Sequence, residues 1–177
     1  MNHFALSVGM IRYNTFWPRF WGGLVDGILF LPMAFIDSRL LDPARPAAVI
    51  LGWAAVSCSA FWLYSVCMHA RYGQTLGKMA TGVKVLDVSE DGTPSLRQAF
   101  LRDIGSVVIS SLAYLYLVQL VVNGRYAEGA QVNETPGMIL SIAALAWFAL
   151  EILTMLTNPK RRALHDFIAG TVVIKDA

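Results

Sequence analysis

Asp26 and Glu151 interrupt otherwise apolar runs, WGGLVDGILF and ALAWFALEILTML. An aspartate at the centre of a membrane helix costs about 2.5–3.5 kcal/mol, so such a group is neutralised, paired or put to use. Asp26 sits midway along its run and Glu151 about six residues before the end of its own. Two carboxylates at one depth share a proton or hold a cation between them. The competing reading is structural: Asp26 fixes helix register through a buried ion pair or hydrogen bond, and Glu151 reaches an interface or caps a hydroxyl. Arg19 lies two helical turns before Asp26 on the same face, about 10 Å away along the axis, so Arg102 and Lys78 are the alternative partners. Asp103, beside Arg102, reads as an interfacial pair. Gly23 and Gly27 flank Asp26 at the G-x-x-x-G spacing, which lets a second helix approach and takes the carboxylate out of lipid.

Other chemistry is weaker. RYGQTLGKMATGVKVLD, residues 71–87, resembles a phosphate loop. A true one needs four residues between its glycines and a hydroxyl after the lysine. Here Gly73 and Gly77 enclose three, and Met79 follows Lys78. His3, His69 and His165 lack metal-ligand spacing. No Ser-His-Asp or Cys-His set falls at compatible positions, so neither enzymatic activity nor a cofactor is expected. Cys58 and Cys67 are about 13 Å apart along one helix, too far for a disulfide within it.

The elements that must position these groups follow from composition. Of 177 residues, 56% are hydrophobic and 15% charged, and mean hydropathy is +0.53. A 19.4 kDa globule cannot hide that much apolar surface, so its natural solvent is the lipid bilayer. The net charge of +2 leaves no nucleic-acid footprint. Runs at about 17–36, 47–68, 99–122 and 137–157 are long enough to cross, which takes about 20 residues. Pro18 suits a first helical turn, and Pro32 is placed to kink the first run. The expectation is an all-α four-helix integral membrane bundle over residues 1–177. Trp17, Trp21, Trp53, Trp62 and Trp147 lie mostly near the expected boundaries.

Charge orients the spans. Arg12, Arg19, Arg71, Lys78, Lys84, Arg97, Arg102, Lys160, Arg161, Arg162 and Lys175 fall on one side, and Arg39, Arg45 and Arg125 on the other. By the positive-inside rule both termini are cytoplasmic. The N-terminal residues lack the order of a cleaved signal peptide, so the first span is expected to target the chain. Asn133–Thr135 matches a glycosylation tripeptide in an outer loop.

TLGKMATGVKVLDV (75–88) aligns with ALHDFIAGTVVIKD (163–176) at an offset of 88. Leu76 meets Leu164, Gly82 meets Gly170, and Val85 meets Val173. Arg19 and Arg102 open the preceding helices. The chain thus reads as two parallel pseudo-repeats, about 12–88 and 95–176, about an axis along the membrane normal. VKVLDV and TVVIKD read as strands forming a two-stranded cytoplasmic ribbon, EDGTP (90–94) as a turn. The alignment also sets Lys78 opposite Asp166, and an ion pair between them is the expectation that makes the segment a clasp.

PRFWGGLVDGILFLP, GQTLGKMATGVKVLD, the arginine-aspartate start of the third helix and LHDFIAGTVVIK together resemble the RDD family of small bacterial membrane proteins, over about 12–176. The family's arginine carries over to Arg19, its first aspartate to Asp26, and its second to Asp166, with Asp103 as the other candidate. A fourth helix departs from the shortest family pattern. The resemblance implies a multi-pass protein of the bacterial inner membrane, with transport of undefined ligands, and Na⁺, Li⁺ or K⁺ exchange for protons as the sharpest version. Four helices make a thin pathway, so a homo-oligomer or membrane partner is expected. The alternative is a scaffold that binds a partner or anionic lipid through the basic face, where His165, Asp166 and Lys160–Arg162 cluster.

Overall fold

A computed structural model describes residues 12–126 and 135–176. His3, most of the N-terminal stretch read for a signal, and Asn133 of the glycosylation tripeptide lie outside the described residues. The elements, in order, are α1 (Phe16–Leu29), α2 (Leu31–Leu40), α3 (Ala47–Tyr72), α4 (Leu76–Ala80), β1 (Val83–Asp87), α5 (Leu96–Arg102), α6 (Ile104–Val122), α7 (Thr135–Thr157), α8 (Leu164–Ala169) and β2 (Thr171–Lys175). The chain is mostly helical, with a small two-stranded sheet. α3, α6 and α7 are each long and apolar enough to cross a bilayer; α1 and α2 make a fourth span if they count as one bent pair. Leu115, Val122, Leu145 and Phe148 are 58–73% exposed within the chain, a cost in water that lipid removes.

The helix boundaries have local causes. Pro32 lies in the first turn of α2, and its missing N–H ends the ladder inherited from α1; a new ladder starts where Met33 and Ala34 donate to the Phe30 carbonyl. α3 runs one turn beyond the expected end, and that turn carries His69. The third apolar run is broken where one helix was expected. A capping box starts α5, Ser95 accepting from the Gln98 N–H and Gln98 from the Ser95 N–H, which satisfies two end-of-helix donors. α5 ends at Asp103, whose N–H turns back to the Phe100 carbonyl.

The described chain groups into two compact units. One takes residues up to Leu29, Tyr64–Ile104 and from Ala149 onward; the other takes Phe30–Leu63 and Gly105–Phe148. The second unit is largely apolar helix, and its polar groups find partners nearby. Asp37 accepts from Trp53 Nε1 at 2.7 Å and Ser57 Oγ at 2.8 Å. A Cβ at Gly105 would overlap the Trp147 indole, so α6 and α7 touch where a glycine admits an aromatic ring.

The first unit is built on the sheet. β1 and β2 pair antiparallel, Val83 opposite Lys175, Val85 opposite Val173 and Asp87 opposite Thr171. Val83, Val85 and Val173 form one buried cluster, and Leu86, Val172 and Ile174 a second, against which Tyr13 packs. Apolar cover on both faces explains why these strands read as near-continuous β-branched runs and not as alternating ones. Gly82 and Gly170 precede the two strands at φ +64° and +66°, a left-handed turn that a side chain would strain. The 87–92 turn is closed by bonds from the Asp87 N–H to Gly92 and from the Glu90 N–H to Asp87.

Candidate functional site

The polar groups gather in the first unit, on surfaces that α1, the end of α3, α4, α5 and α8 turn toward one another. Gly22 and Asp26 are the buried residues of α1. Asp26 is 3% exposed. Its Oδ1 accepts from Tyr64 Oη and from the Gly77 N–H, each at 2.8 Å, and its Oδ2 from Thr75 Oγ1 at 2.6 Å. Three donors satisfy the carboxylate without a cation, and one of them is a backbone N–H at the start of α4. Asp26 thereby pins α4 to α1.

The close approach of those helices falls at Gly22 and Gly77. A Cβ on Gly77 would overlap the Gly22 carbonyl, and one on Gly22 would lie 3.0 Å from Thr81 Oγ1. Nothing lies within 4 Å of a Cβ placed on Gly23 or Gly27. The reason is angular. Gly22 and Gly23 lie on opposite sides of the line through Arg19 and Asp26, about 100° from each other, and Gly27 lies about 100° from Asp26 on the Gly23 side; α4 meets the Gly22 side.

Asp166, at the start of α8, is fully buried. Its Oδ2 accepts from Arg19 Nη1 at 2.6 Å and its Oδ1 from Arg102 Nη1 and Thr171 Oγ1. It also accepts the Ala163 N–H at 3.0 Å, a charge-assisted contact at a helix start. Burial alone would raise this carboxyl; the guanidiniums of Arg102 and Arg19 outweigh burial and hold it well below the usual carboxylate range. Arg162 braces the same turn, donating to the carbonyls of Thr171 and Asp166, each at 2.9 Å.

Lys78, which the repeat set against Asp166, goes elsewhere; Arg19 and Arg102 take both carboxylate oxygens. Val85 faces Val173 at the middle of an antiparallel ladder, and the chains diverge from there. Lys78 and Asp166 each lie seven residues before that point, so the ladder carries them apart. The Lys78 ammonium instead lies 2.7 Å from His69 Nε2. His69 is 1% exposed, and its Nδ1 is 3.1 Å from Ser65 Oγ. Burial raises the Asp103 carboxyl against the opposing pull of Ser65 and Arg102.

Glu151, on α7, does not share its partners with Asp26. Its Oε2 accepts from His165 Nδ1 at 2.6 Å. His165 Nε2 comes to 3.5 Å from Asp166 Oδ1 without a hydrogen bond to it. Among the described residues, four buried side-chain atoms have no hydrogen-bond partner: Arg19 Nη2, Asp103 Oδ2, Glu151 Oε1 and His165 Nε2. All four belong to ionisable residues of the first unit. A buried polar atom left unpaired costs about 1–3 kcal/mol, more where charged.

Sequence reasoning missed Tyr64 and Thr75 as the partners of Asp26, and His69, Ser65 and Thr171 as links. A weak signal existed for Ser65 and His69, which stand four residues apart on one helix face. Tyr64 and Thr75 meet Asp26 only through the tertiary fold.

Several helices long and apolar enough to cross a bilayer, in a chain whose first unit buries arginine and aspartate beside a small sheet, mark an α-helical membrane protein. The chain belongs to the RDD family, whose model matches residues 13–170. It is similar to the uncharacterized membrane protein YteJ of Bacillus subtilis strain 168, at 25% identity over 170 residues, covering 93% of this chain and 82% of that one. No solved structure matches it.

Proposed function

We propose that this protein is a small ion transporter of the bacterial inner membrane, coupling Na⁺, Li⁺ or K⁺ movement to protons, without enzymatic chemistry. The single observation behind this reading is the set of unpaired atoms on Arg19, Asp103, Glu151 and His165. A region built only to hold helices together satisfies its polar groups. One that handles ions or protons leaves sites for water and cargo, and ionisable residues in membrane segments mark such paths. Glu151 beside His165 is the better coupling carboxylate. Asp26, with three donors already on it, is assigned a structural part.

The finer architecture belongs to the same reading. Four spans, counting α1 and α2 as one, form a bundle with both termini cytoplasmic, as the distribution of basic residues favours. The two halves are parallel pseudo-repeats. Supporting this, Val85 pairs with Val173, its own counterpart at the offset of 88, as a two-fold axis requires, and Gly82 and Gly170 share one backbone conformation. A homo-oligomer completes the pathway.

The competing reading is a scaffold. It is favoured by the complete hydrogen bonding of Asp26 and by the basic Lys160–Arg162 segment. Purified protein in liposomes under an imposed pH gradient separates the two. Transport predicts that added Na⁺, Li⁺ or K⁺ dissipates the gradient and that Glu151→Gln abolishes this while the protein stays folded. Absence of ion-dependent flux from the folded wild type refutes transport. Loss of vesicle or partner binding on neutralising Lys160, Arg161 and Arg162 then supports the scaffold.

A further inference from the structure

The three short helices of the first unit have the polarity of soluble helices turned inside out. α4 buries Gly77 and directs Lys78 to the buried His69, 2.7 Å away, while Leu76 and Met79 are exposed. α5 buries Ala99 and Arg102, while Leu96 is 66% exposed. α8 buries Asp166 and Ala169, while Phe167 and Ile168 are exposed. A helix on a water-facing surface turns its apolar stripe inward and its charges outward. Here an ionisable group of each helix faces in and large apolar side chains face out, which water penalises and hydrocarbon favours.

Two contacts set the depth of these helices. The Gly77 N–H reaches Asp26 Oδ1 at 2.8 Å. Asp26 is ten residues, about 15 Å, beyond the start of α1 at Phe16. Trp17 and Trp21, exposed near that start, suit the headgroup level. α4 therefore folds back beside α1, past these aromatic residues and alongside the apolar stretch. The second contact is His165 Nδ1 to Glu151 Oε2 at 2.6 Å. Glu151 is six residues, about 9 Å, short of the end of α7 at Thr157, so α8 folds back beside α7. α5 is tied to α8 by Arg102 and Asp166, and only Asp103 separates it from α6.

We propose that α4, α5 and α8 lie within the lipid leaflet on the side of the two-stranded sheet, with Leu76, Met79, Leu96, Phe167 and Ile168 packed against acyl chains. The lipid is already at hand, because α1 and α7 of the same unit expose Leu24, Ile28, Leu153 and Leu156. Amphipathic helices of this kind sink their apolar faces about 5–10 Å into the headgroup–acyl boundary. Arg97, next to Leu96, and Arg71, at the end of α3, are exposed; their long stems lie along apolar surface while the guanidiniums reach anionic headgroups. The polar faces of the short helices then enclose Asp26, the Lys78–His69 contact and the Arg19–Asp166–Arg102 centre below the membrane surface, where their electrostatic contacts are stronger than in water. Transport and scaffolding are both compatible with this placement, and neither requires it.

The test is spin-label accessibility in the full-length protein, reconstituted in vesicles of phosphatidylcholine and phosphatidylglycerol. Cys58→Ala and Cys67→Ala remove the free thiols. Leu76→Cys, Leu96→Cys and Phe167→Cys then carry the label one at a time, and Asp91→Cys, in the exposed 87–92 turn, is the water reference. Met79→Cys and Ile168→Cys replace a labelled variant of α4 or α8 whose melting temperature or elution departs from wild type. Oxygen, which concentrates in hydrocarbon, is expected to relax the labels on all three helices several-fold more than a water-soluble nickel chelate does, with the order reversed at Asp91→Cys. A label on any one of the helices that nickel relaxes as strongly as the reference places that helix in water and overturns the proposal. A label shielded from both reagents means that a second copy or a protein partner covers the face, which overturns it as well.

Discussion

Asp166→Asn perturbs the point where the first unit is most concentrated in charge. The wild-type carboxylate is fully buried and faces two guanidiniums, Arg19 at 9% and Arg102 at 3% side-chain exposure. Asparagine keeps the shape and one acceptor oxygen but removes the charge, so two buried cations face each other without a counterion. Removing one partner of a buried pair costs about 3–5 kcal/mol because a charge is stranded. Here two are stranded, which puts the loss at the upper end. In a chain of this length that corresponds to on the order of 10 °C in melting temperature. Arg102→Met is expected to cost less, since Arg19 still neutralises Asp166. The triple change Arg19→Met, Arg102→Met, Asp166→Leu is expected to recover most of the loss, because replacing a whole buried ionic set with apolar groups is often neutral or stabilising. Thermal unfolding in a mild detergent, read by tryptophan fluorescence, gives the order directly. A melting temperature for Asp166→Asn within 2 °C of wild type, or a triple variant less stable than the single one, would refute this account.

Other expectations follow from the same contacts. Because Asp166 is held well below the usual carboxylate range, its contribution is complete above an unfolded-state pKa of about 3.9 and is lost as pH falls from there through the folded-state value; melting temperature should drop below about pH 4 in wild type and less steeply in Asp166→Asn. Gly77→Ala should destabilise by about 1–3 kcal/mol or more, since its Cβ would meet the Gly22 backbone, whereas Gly23→Ala, with open space around it, should be neutral or gain about 0.5–1 kcal/mol from helix propensity; equal effects in a melt would contradict the placement of α4 against α1. Thr75→Val, which takes the hydroxyl from Asp26 Oδ2, should cost about 1–3 kcal/mol without changing ion-dependent flux, and a selective loss of flux would return Asp26 to a coupling role. Lys160→Ala should change stability by under about 1 kcal/mol, because its bond to Glu90 is solvent-exposed.

Much of this was legible in the sequence, for physical reasons that also mark where legibility ends. Lipid demands about 20 apolar residues per crossing, so α3, α6 and α7 announced themselves. Continuous β-branched runs after Gly82 and Gly170 announced the strands. The break at Asp103 was hidden, because the apolar pattern continues across Arg102–Asp103 and only the Ser95–Gln98 box hints at a separate short helix. Arg19 and Asp166 stood out as family residues, but their pairing did not: 147 residues separate them, and spacing says nothing about contacts at that range. The face of α1 was assigned from a glycine motif, while burial follows Arg19, Gly22 and Asp26, since the side that meets α4 is set by where the Asp26 carboxylate finds donors.

The opposite partners of Lys78 and Asp166 give the site its asymmetry. On the proposed repeat these residues are counterparts, as are Arg19 and Arg102. If the halves were chemically alike, each arginine would have an acid from its own short helix. Only α8 supplies one, so both arginines converge on Asp166. Lys78, with no carboxylate of its own to hold, turns to a neutral imidazole. One counterpart slot thus fixes charge permanently, and the other holds a proton it can give up. That division predicts the outcome of exchanging them. Lys78→Asp should compete for Arg19, weaken the contact to Asp166 and remove the lysine whose pKa burial and Arg102 lower to about 7. Lys78→Arg should keep a cation in the slot, pinned in the charged form because a guanidinium does not deprotonate. The Asp variant is therefore expected to lose stability and proton exchange together, and the Arg variant proton exchange alone. If both variants lost stability to the same extent, the slot would be a packing position, and the division between a fixed and a mobile charge would fail.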